Sequence, residues 1–329
     1  MRHPFIGRTP ARLASAFFGA KLLGRRVPLM VAWAVTGACN RRCSYCRRWK
    51  PAAGELTTRQ IEEIVDTLAR RGCASISFTG GEPLTRPDIG EIIGLVRARG
   101  IKVKLNTNGA LLAARIDELS DLDTLCLSLD GPEPVHDAIR GRGSFGEVLA
   151  ATRAARERGL HVTFTSVISD ANPDAQAFVL DLARGLGSSV LFQPATPQVR
   201  GESIDNPLVP PPDVLARAIG FLVQRKRSGE RAVGNSFAGL RHLAAFPGPR
   251  PIACASGYLS CRIEPGGEVR HCGLPREGFT PRSSLEAGFE EAFAALTPMT
   301  CGDCWCAGRV ELNLAFGLSP SAIANQLAR

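Results

Sequence analysis

Residues 39–46 read Cys39-Asn40-Arg41-Arg42-Cys43-Ser44-Tyr45-Cys46 and follow the apolar run 29–35. The apolar run predicts a buried strand, so the three thiols lie in the loop that leaves it. Three thiolates bind three irons of a cubane cluster and leave the fourth iron open to another ligand. A structural zinc ion is normally enclosed by four ligands instead. The spacing alone leaves three alternatives: an open iron–sulfur cluster, a zinc knuckle and unrelated thiols.

The composition favours metal chemistry in a reducing compartment. The chain has 329 residues and 11 cysteines, an odd number gathered mainly into two groups, whereas a secreted disulfide scaffold is shorter and evenly bridged. We therefore predict a cytoplasmic protein. The net charge of +9 is spread along the chain without an aromatic-interleaved basic stripe, so solvated helix faces explain it better than a nucleic-acid partner.

Strand-like and helix-like segments alternate along the chain from residue 29. Six β–α units in series predict an α/β protein, a partial (β/α)6 TIM-like barrel with an open side. The chemistry of such barrels lies at the carboxyl ends of the strands, where the first cysteine loop falls. The predicted strands are 29–35, 74–78, 101–105, 124–129, 161–168 and 190–193, and the predicted helices are 57–70, 87–99, 111–119, 145–158 and 173–185.

The remaining segments suggest a division into four parts. They are an N-terminal extension over 1–28, the barrel over 29–212, a helical connector over 213–251 and a cysteine-rich module with a final helix over 252–329. The apolar stretch 11–24 predicts a helix that packs on the barrel or, alternatively, lies on a membrane surface. It is too short and too charged to span a bilayer.

A glycine-rich turn, Gly80-Gly81-Glu82-Pro83, follows the second predicted strand. Two glycines let the backbone approach a ligand closely, and a carboxylate there can accept a hydrogen bond from an ammonium group. Taken alone, the segment is also typical of an ordinary turn.

The C-x-x-x-C-x-x-C spacing, with Tyr45 before the last cysteine and the Gly-Gly-Glu-Pro segment one strand later, resembles the radical S-adenosylmethionine (SAM) superfamily. The resemblance implies that Cys39, Cys43 and Cys46 bind a [4Fe–4S] cluster whose open iron is chelated by SAM. It also implies that the segment from Gly80 to Pro83 binds the amino group of SAM.

Polar residues at later strand ends extend the predicted site. Asn106 and Asn108 follow the third strand and Ser128 ends the fourth, where the alternatives are turn chemistry and SAM contacts. His136-Asp137-Ala138-Ile139-Arg140, with Gly143-Ser144-Phe145, resembles a segment of the SPASM and twitch branch, which implies that Arg140 pairs with the SAM carboxylate. Three further candidates for adenine or substrate contacts are Thr165, Ser166 and Gln193.

A second group of cysteines surrounds a predicted hairpin over 262–270, whose turn is Pro-Gly-Gly. Four thiolates suit a closed cubane or a zinc ion equally well. The order resembles the twitch module, which implies an auxiliary [4Fe–4S] cluster on Cys254, Cys272, Cys301 and Cys304. Cys261 and Cys306 are left as a substitute ligand or a hydrogen donor, and Cys73 and Cys126 are predicted to be small buried residues.

The resemblance implies reductive cleavage of SAM to methionine and a 5′-deoxyadenosyl radical, which abstracts hydrogen from a substrate. The electron would come from a flavodoxin- or ferredoxin-type donor. We expect a small-molecule or natural-product substrate. The alternatives are maturation of a ribosomal peptide by oxidation, cross-linking or epimerisation, and a non-enzymatic iron–sulfur or metal module. The sequence assigns no catalytic residue.

Overall fold

The structure is a computed structural model that describes residues 9–49, 54–199, 204–248, 250–274 and 278–327. Its strands are β1 (Met30–Ala34), β2 (Ser75–Thr79), β3 (Lys102–Thr107), β4 (Thr124–Ser128), β5 (Val162–Ile168), β6 (Ser189–Pro194), β7 (Ile252–Ala253), β8 (Ser260–Ile263), β9 (Glu268–Arg270), β10 (Arg282–Ser283) and β11 (Thr300–Cys301). Its helices are α1 (Thr9–Leu23), α2 (Thr58–Arg70), α3 (Ile89–Ala98), α4 (Leu112–Arg115), α5 (Glu133–Arg140), α6 (Ser144–Glu157), α7 (Gln176–Gly185), α8 (Pro212–Arg227), α9 (Phe237–Leu243), α10 (Phe289–Ala294), α11 (Ala307–Phe316) and α12 (Pro320–Leu327).

The predicted α/β partial barrel is confirmed. Strands β1 to β6 are parallel and lie side by side in chain order, so each crossover returns to the neighbouring position of the sheet. Apolar residues alternate along these strands and pack beneath the helices, as Trp33 of β1 and Phe78 of β2 do. The opposite face of β3 carries the partly exposed Lys104 and Asn106, so the inner face of the sheet is polar.

Local signals explain where the helices begin. Thr57 caps α2, and its side chain and that of Gln60 form a capping box. Four buried residues of α2 then repeat at helical spacing and face the sheet: Ile61, Ile64, Val65 and Leu68.

The cysteine-rich region contributes strands to the barrel sheet. β8 pairs in parallel with β1, and β9 and β10 continue the sheet by antiparallel pairing, giving the order β10-β9-β8-β1-β2-β3-β4-β5-β6. The hairpin predicted over 262–270 is therefore present as β8 and β9. Because it completes hydrogen bonds of the β1 edge, the hairpin is continuous with the barrel sheet. The four domain boundaries stay predictions.

The N-terminal helix packs on the body of the protein, as one of the two expectations had it. Ala16, Phe17 and Ala20 of α1 contact an apolar cluster that includes Phe316 of α11. Its other side leaves three large apolar side chains exposed: Phe18, Leu22 and Leu23.

Four short helices were not expected from the sequence: α5, α9, α10 and α11. α5 has eight residues between Pro132 and Gly141, too few for a clear periodic pattern. Ser236 caps α9, since its side chain accepts a hydrogen bond from the amide of Gly239 within the predicted connector. The predicted final helix is α12, which packs against α9 and α11. Among the described residues, no helix has the length and apolar character needed to cross a bilayer.

Candidate active site

The first three cysteines lie on the loop at the carboxyl end of β1. Burial raises the pKa of Cys39 to about 11 and also raises that of Cys43; Cys43 and Cys46 add to the first shift, and Cys46 adds to the second. The thiols therefore lie within electrostatic reach of one another. Burial disfavours the thiolates of Cys39 and Cys43, and a bound cation would favour them.

Within the described ranges, no three carboxylate, imidazole or thiol side chains converge on a position for one metal ion. In a cubane cluster, each thiolate binds a different iron.

The two glycines of the turn after β2 lie directly on the chain that enters the cysteine loop. The amides of Gly81 and Glu82 donate to the carbonyls of Thr36 and Ala38, at 2.9 and 2.8 Å. A Cβ atom on Gly80 would lie 2.3 Å from the Thr36 carbonyl oxygen, and one on Gly81 would lie 2.2 Å from that of Ala38. The glycines thus allow backbone to approach backbone, whereas we had expected them to admit a ligand.

The side chain of Glu82 holds neighbouring loops together. Its carboxylate is buried and accepts three hydrogen bonds: from the Leu84 amide at 3.1 Å, the Thr107 hydroxyl at 2.7 Å and the Asn108 amide at 2.7 Å. Burial raises the pKa of Glu82, although these donors oppose the shift. Pro83 follows as the first residue of a short 3₁₀ turn. The carboxylate therefore fixes the tip of β3 against the tip of β2.

The two asparagines after β3 have different positions. The side-chain nitrogen of Asn108 donates to the side-chain oxygen of Asn40 at 2.8 Å and lies 4.0 Å from the sulfur of Cys39. It therefore contacts the cysteine loop. Asn106 donates at 2.8 Å to both the Ser77 hydroxyl and the Phe78 carbonyl, so its amide group is bound to β2.

Asp130, just beyond β4, is a buried residue that we did not single out from the sequence. Its Oδ2 accepts from the Tyr45 hydroxyl at 3.1 Å and from Nε of Arg140 at 2.6 Å. The guanidinium carbon of Arg140 lies 5.5 Å from the centre of the Tyr45 ring. The structure thus joins Tyr45 and Arg140, both predicted site residues, through a third. The signal that could have found it was an acidic residue at a strand tip.

Arg140 directs positive charge toward the cysteine loop. Burial opposes that charge, but Asp130, Tyr45 and Cys43 outweigh the effect and raise the pKa of Arg140. Arg140 in turn lowers the pKa of Cys43 against the larger effect of burial. Over the part of the chain that the structure describes, only Nε of Arg140 has a hydrogen-bond partner.

The rest of the His136–Phe145 segment supports these side chains. The Asp137 carboxylate accepts from the amides of Gly143 and Phe145 and from the Ser144 hydroxyl, so it caps the start of α6. The Phe145 ring packs edge-on against the ring of His136, at 6.1 Å between centroids. Each residue of the motif therefore has a local role. His136 and Asp137 fix α5 and the start of α6, and Arg140 lies beside the cysteine loop.

The other strand residues that we considered have mixed positions. Ser128 is the last residue of β4 and is partly exposed. The Thr165 hydroxyl lies 3.1 Å from the sulfur of Cys126. Ser166 points to the opposite face of β5 because side chains alternate along a strand, so the two cannot share one site. Gln193 accepts from the Ala307 amide at 3.0 Å, which uses its oxygen to cap α11.

The second group of cysteines also comes together. Cys254 and Cys301 lie on the paired strand ends next to β7 and in β11, and Cys272 follows the β8–β9 hairpin. Burial raises the pKa of Cys254, and both Cys301 and Cys272 add to this shift. A hydrogen bond to Cys301, followed by burial, raises the pKa of Cys304, with a contribution from Cys254. The four predicted ligands are therefore electrostatic neighbours.

The two cysteines left open by the sequence differ. Cys306 is exposed at the start of α11 and raises the pKa of Cys304. Cys261 is fully buried in β8, within the main apolar core and close enough to Cys73 to raise its pKa. A core position leaves Cys261 no access to a substrate. Cys73 and Cys126 are buried, as predicted.

The site combines polar strand ends with a loop of three thiols on a partial parallel barrel. This combination defines a class of cofactor-dependent enzymes, and comparison with known proteins leads to the same class. Residues 33–181 match the family described as the radical SAM superfamily. The mycofactocin maturase MftC of Mycobacterium tuberculosis (strain CDC 1551 / Oshkosh) is 32% identical over 261 residues, 76% of this chain and 65% of the relative. The enzyme of the same name from Mycobacterium ulcerans is 32% identical over 265 residues, 76% of this chain and 69% of the relative.

A shorter match is to the AdoMet-dependent heme synthase of Methanosarcina barkeri, which is 34% identical over 189 residues, 54% of each chain. Among solved structures, Streptococcus suis SuiB bound to precursor peptide SuiA has a TM-score of 0.68 at 16% identity, over 87% of this chain and 68% of that one. At this identity the likeness shows the fold.

The chain belongs to the radical SAM superfamily, whose members use SAM and a [4Fe–4S] cluster. It spans slightly less than two thirds of the length of the Mycobacterium tuberculosis relative.

Proposed function

We propose that this radical SAM enzyme modifies a peptide, using Cys39, Cys43 and Cys46 to hold the [4Fe–4S] cluster and the surrounding strand ends to hold SAM. When bound, cluster and SAM together supply a carbon-centred radical able to take a hydrogen atom from an unactivated C–H bond. The observation that carries the proposal is the meeting of the three thiols, Arg140 and the β2 and β3 tips at one edge of the sheet.

The residues that we predicted from the sequence divide into two roles under this proposal. Arg140 and Ser128 would contact SAM, because Arg140 has donors facing the cysteine loop and Ser128 is partly exposed at the tip of β4. Support of the loops is the proposed role of the other predicted residues: Tyr45, Gly80, Gly81, Glu82, Pro83, Asn106 and Asn108. The backbone carbonyls of the Gly80–Pro83 turn remain the proposed acceptors for the SAM ammonium group.

An auxiliary cluster on Cys254, Cys272, Cys301 and Cys304 is the second part of the proposal. Its support is the mutual influence of these thiols and the presence of Arg309 beside Cys254, where it favours the thiolate. Arg48, two residues after Cys46, donates at 3.0 Å to the carbonyl of Gly273, next to Cys272. This contact links the segments that carry the two cysteine groups, which suits electron transfer between them. The external electron would come from a flavodoxin- or ferredoxin-type protein.

The iron content tests both sites. Anaerobically reconstituted protein should bind about eight irons, two cubanes of four. Changing the three loop cysteines to alanine should leave about four irons, those of the auxiliary cluster. Changing Cys254 and Cys301 to alanine should leave about four irons as well, those of the loop cluster. A triple variant that still binds about eight irons would remove the loop from the proposal.

A peptide is favoured over our first expectation of a small molecule by the two maturase relatives, each 32% identical over more than 260 residues. The heme synthase match, over a shorter stretch, favours a small molecule instead. The test is to incubate the reduced enzyme with SAM and a deuterated short peptide encoded beside its gene. Deuterium in 5′-deoxyadenosine together with a mass change of the peptide is expected. Full SAM cleavage without label from any neighbouring peptide would favour the small-molecule alternative.

A further inference from the structure

We infer that Asp130 is a positioning residue for SAM: it orients Arg140 toward the cofactor and joins that arginine to the cysteine loop. The inference rests on the proposed function, because it concerns the site in which SAM would bind. It is carried by the way one buried carboxylate connects the loop, α5 and β5.

Every polar group of Asp130 has a hydrogen-bond partner outside β4. Its carboxylate accepts from Tyr45 in the loop and Arg140 in α5 through Oδ2, and from the Val167 amide in β5 through Oδ1, at 2.9 Å. Its amide donates to Nδ1 of His136 at 3.1 Å, and its carbonyl accepts from the Asn172 side chain at 2.6 Å. Five bonds leave this fully buried residue one orientation.

That orientation determines which edge of Arg140 is available. A guanidinium has five N–H donors in a rigid plane, and the Nε of Arg140 is used by Asp130. The donors on the two terminal nitrogens remain, and no residue in the described part of the chain accepts from them. Arg140 is nine-tenths buried and lies within electrostatic reach of Cys43, so these donors are available close to the thiols. Two parallel N–H groups match a carboxylate such as that of SAM.

The same oxygen couples this arginine to the cysteine loop. Tyr45 lies between Cys43 and Cys46, and its hydroxyl binds the Oδ2 atom that also holds Arg140. Asp130 therefore links the arginine position that SAM requires to the tyrosine of the cysteine loop. Removing the charge of Asp130 would release the arginine. The three thiols would stay in the same loop and should still bind the cluster.

The test is SAM affinity, measured by anaerobic titration calorimetry on cluster-loaded protein whose iron content is checked. Asp130→Asn should weaken SAM binding about tenfold with unchanged iron, because the amide can no longer accept from all three donors. Arg140→Gln should show a similar loss, and the double variant should be no weaker than the weaker single one. Asp137→Asn is the matched control, because it makes the same chemical change on α5 at a carboxylate that binds the start of α6 and not Arg140, and it should bind SAM within about twofold of wild type.

Wild-type affinity in Asp130→Asn, or additive losses in the double variant, would overturn the inference. If that variant does not fold, Asp130→Glu, which keeps the charge but moves it by one methylene, should weaken SAM binding at least threefold. Unchanged affinity in that variant would equally overturn the inference. Wild-type protein that binds no SAM would instead contradict the proposed function, so the two failures are distinguishable.

Discussion

At the scale of single residues, the glycines of the Gly80–Pro83 turn are explained by backbone contact. Gly81 lies against the carbonyl of Ala38, and only a three-dimensional structure brings these two together. The same holds for Asp130, since its partners come from three separate parts of the chain.

Gly81→Ala tests this contact. The added methyl group would lie 2.2 Å from the Ala38 carbonyl oxygen, so the turn and the start of the cysteine loop must separate. We expect a loss of about 2–4 kcal/mol in the free energy of unfolding, within the range for overpacking and a broken backbone hydrogen bond, and a loss of about four irons. Chemical denaturation and iron analysis measure both effects.

Gly220→Ala is the control for that substitution. Gly220 is exposed within α8 and has open space where the methyl group would be. A helix gains about 0.5–1 kcal/mol from this change, so the variant should be at least as stable as wild type. Equal stability in the Gly81 and Gly220 variants would contradict the explanation of the turn.

Glu82→Gln is expected to act through the loops that it supports. An amide can retain one or two of the three hydrogen bonds, but its nitrogen would oppose a donor from Thr107 or Asn108. We expect about 1–3 kcal/mol less stability, the usual cost of a poorly satisfied buried group, and weaker SAM binding. Denaturation and calorimetry measure the two. Full stability together with lost SAM binding would indicate direct contact between this side chain and SAM.

At the scale of elements, the long helices and strands could be predicted because periodicity and capping signals are local. Thr57 marks the start of α2 in the sequence, and the structure begins the helix there. α5 could not be predicted in this way, because its eight residues owe their place to contacts of His136 and Arg140 beneath the strand ends. The pairing of β8 with β1 was equally hidden, since it joins segments more than two hundred residues apart.

The burial of His136 predicts a pH dependence of stability. Burial, and next the charge of Arg140, lower the pKa of His136 from 6.5 to about 4, so the unfolded chain binds a proton that the folded chain does not. This contribution is fully present above pH 6.5 and is lost as the pH falls toward 4, at a cost of up to about 3 kcal/mol. His136→Asn, which keeps an acceptor for the Asp130 amide, should flatten the decline.

Denaturant titrations at several pH values check this prediction. The difference in unfolding free energy between pH 7 and pH 4.5 should be smaller in the variant than in wild type. An identical difference in the two proteins would show that other groups cause the decline.

At the scale of the whole molecule, the sequence was sufficient for the fold class and the family, since cysteine spacing and alternating elements are both readable along the chain. It was not sufficient for the substrate. Nothing in the cysteine loop or the turns that support it depends on what is modified, and the preference for a peptide came from the maturase relatives. The continuous sheet that runs from β10 to β6 also joins the β8–β9 hairpin of the cysteine-rich region to the barrel strands.

The most direct test of the account is whether the protein cleaves SAM at the loop of Cys39, Cys43 and Cys46. Anaerobically reconstituted protein is mixed with dithionite and SAM, and 5′-deoxyadenosine and methionine are measured by chromatography. Wild type should form both. The variant with alanine at these three positions should form neither, although it keeps about four irons. Cleavage at the wild-type rate by that variant, or none by fully loaded wild type, would contradict the account.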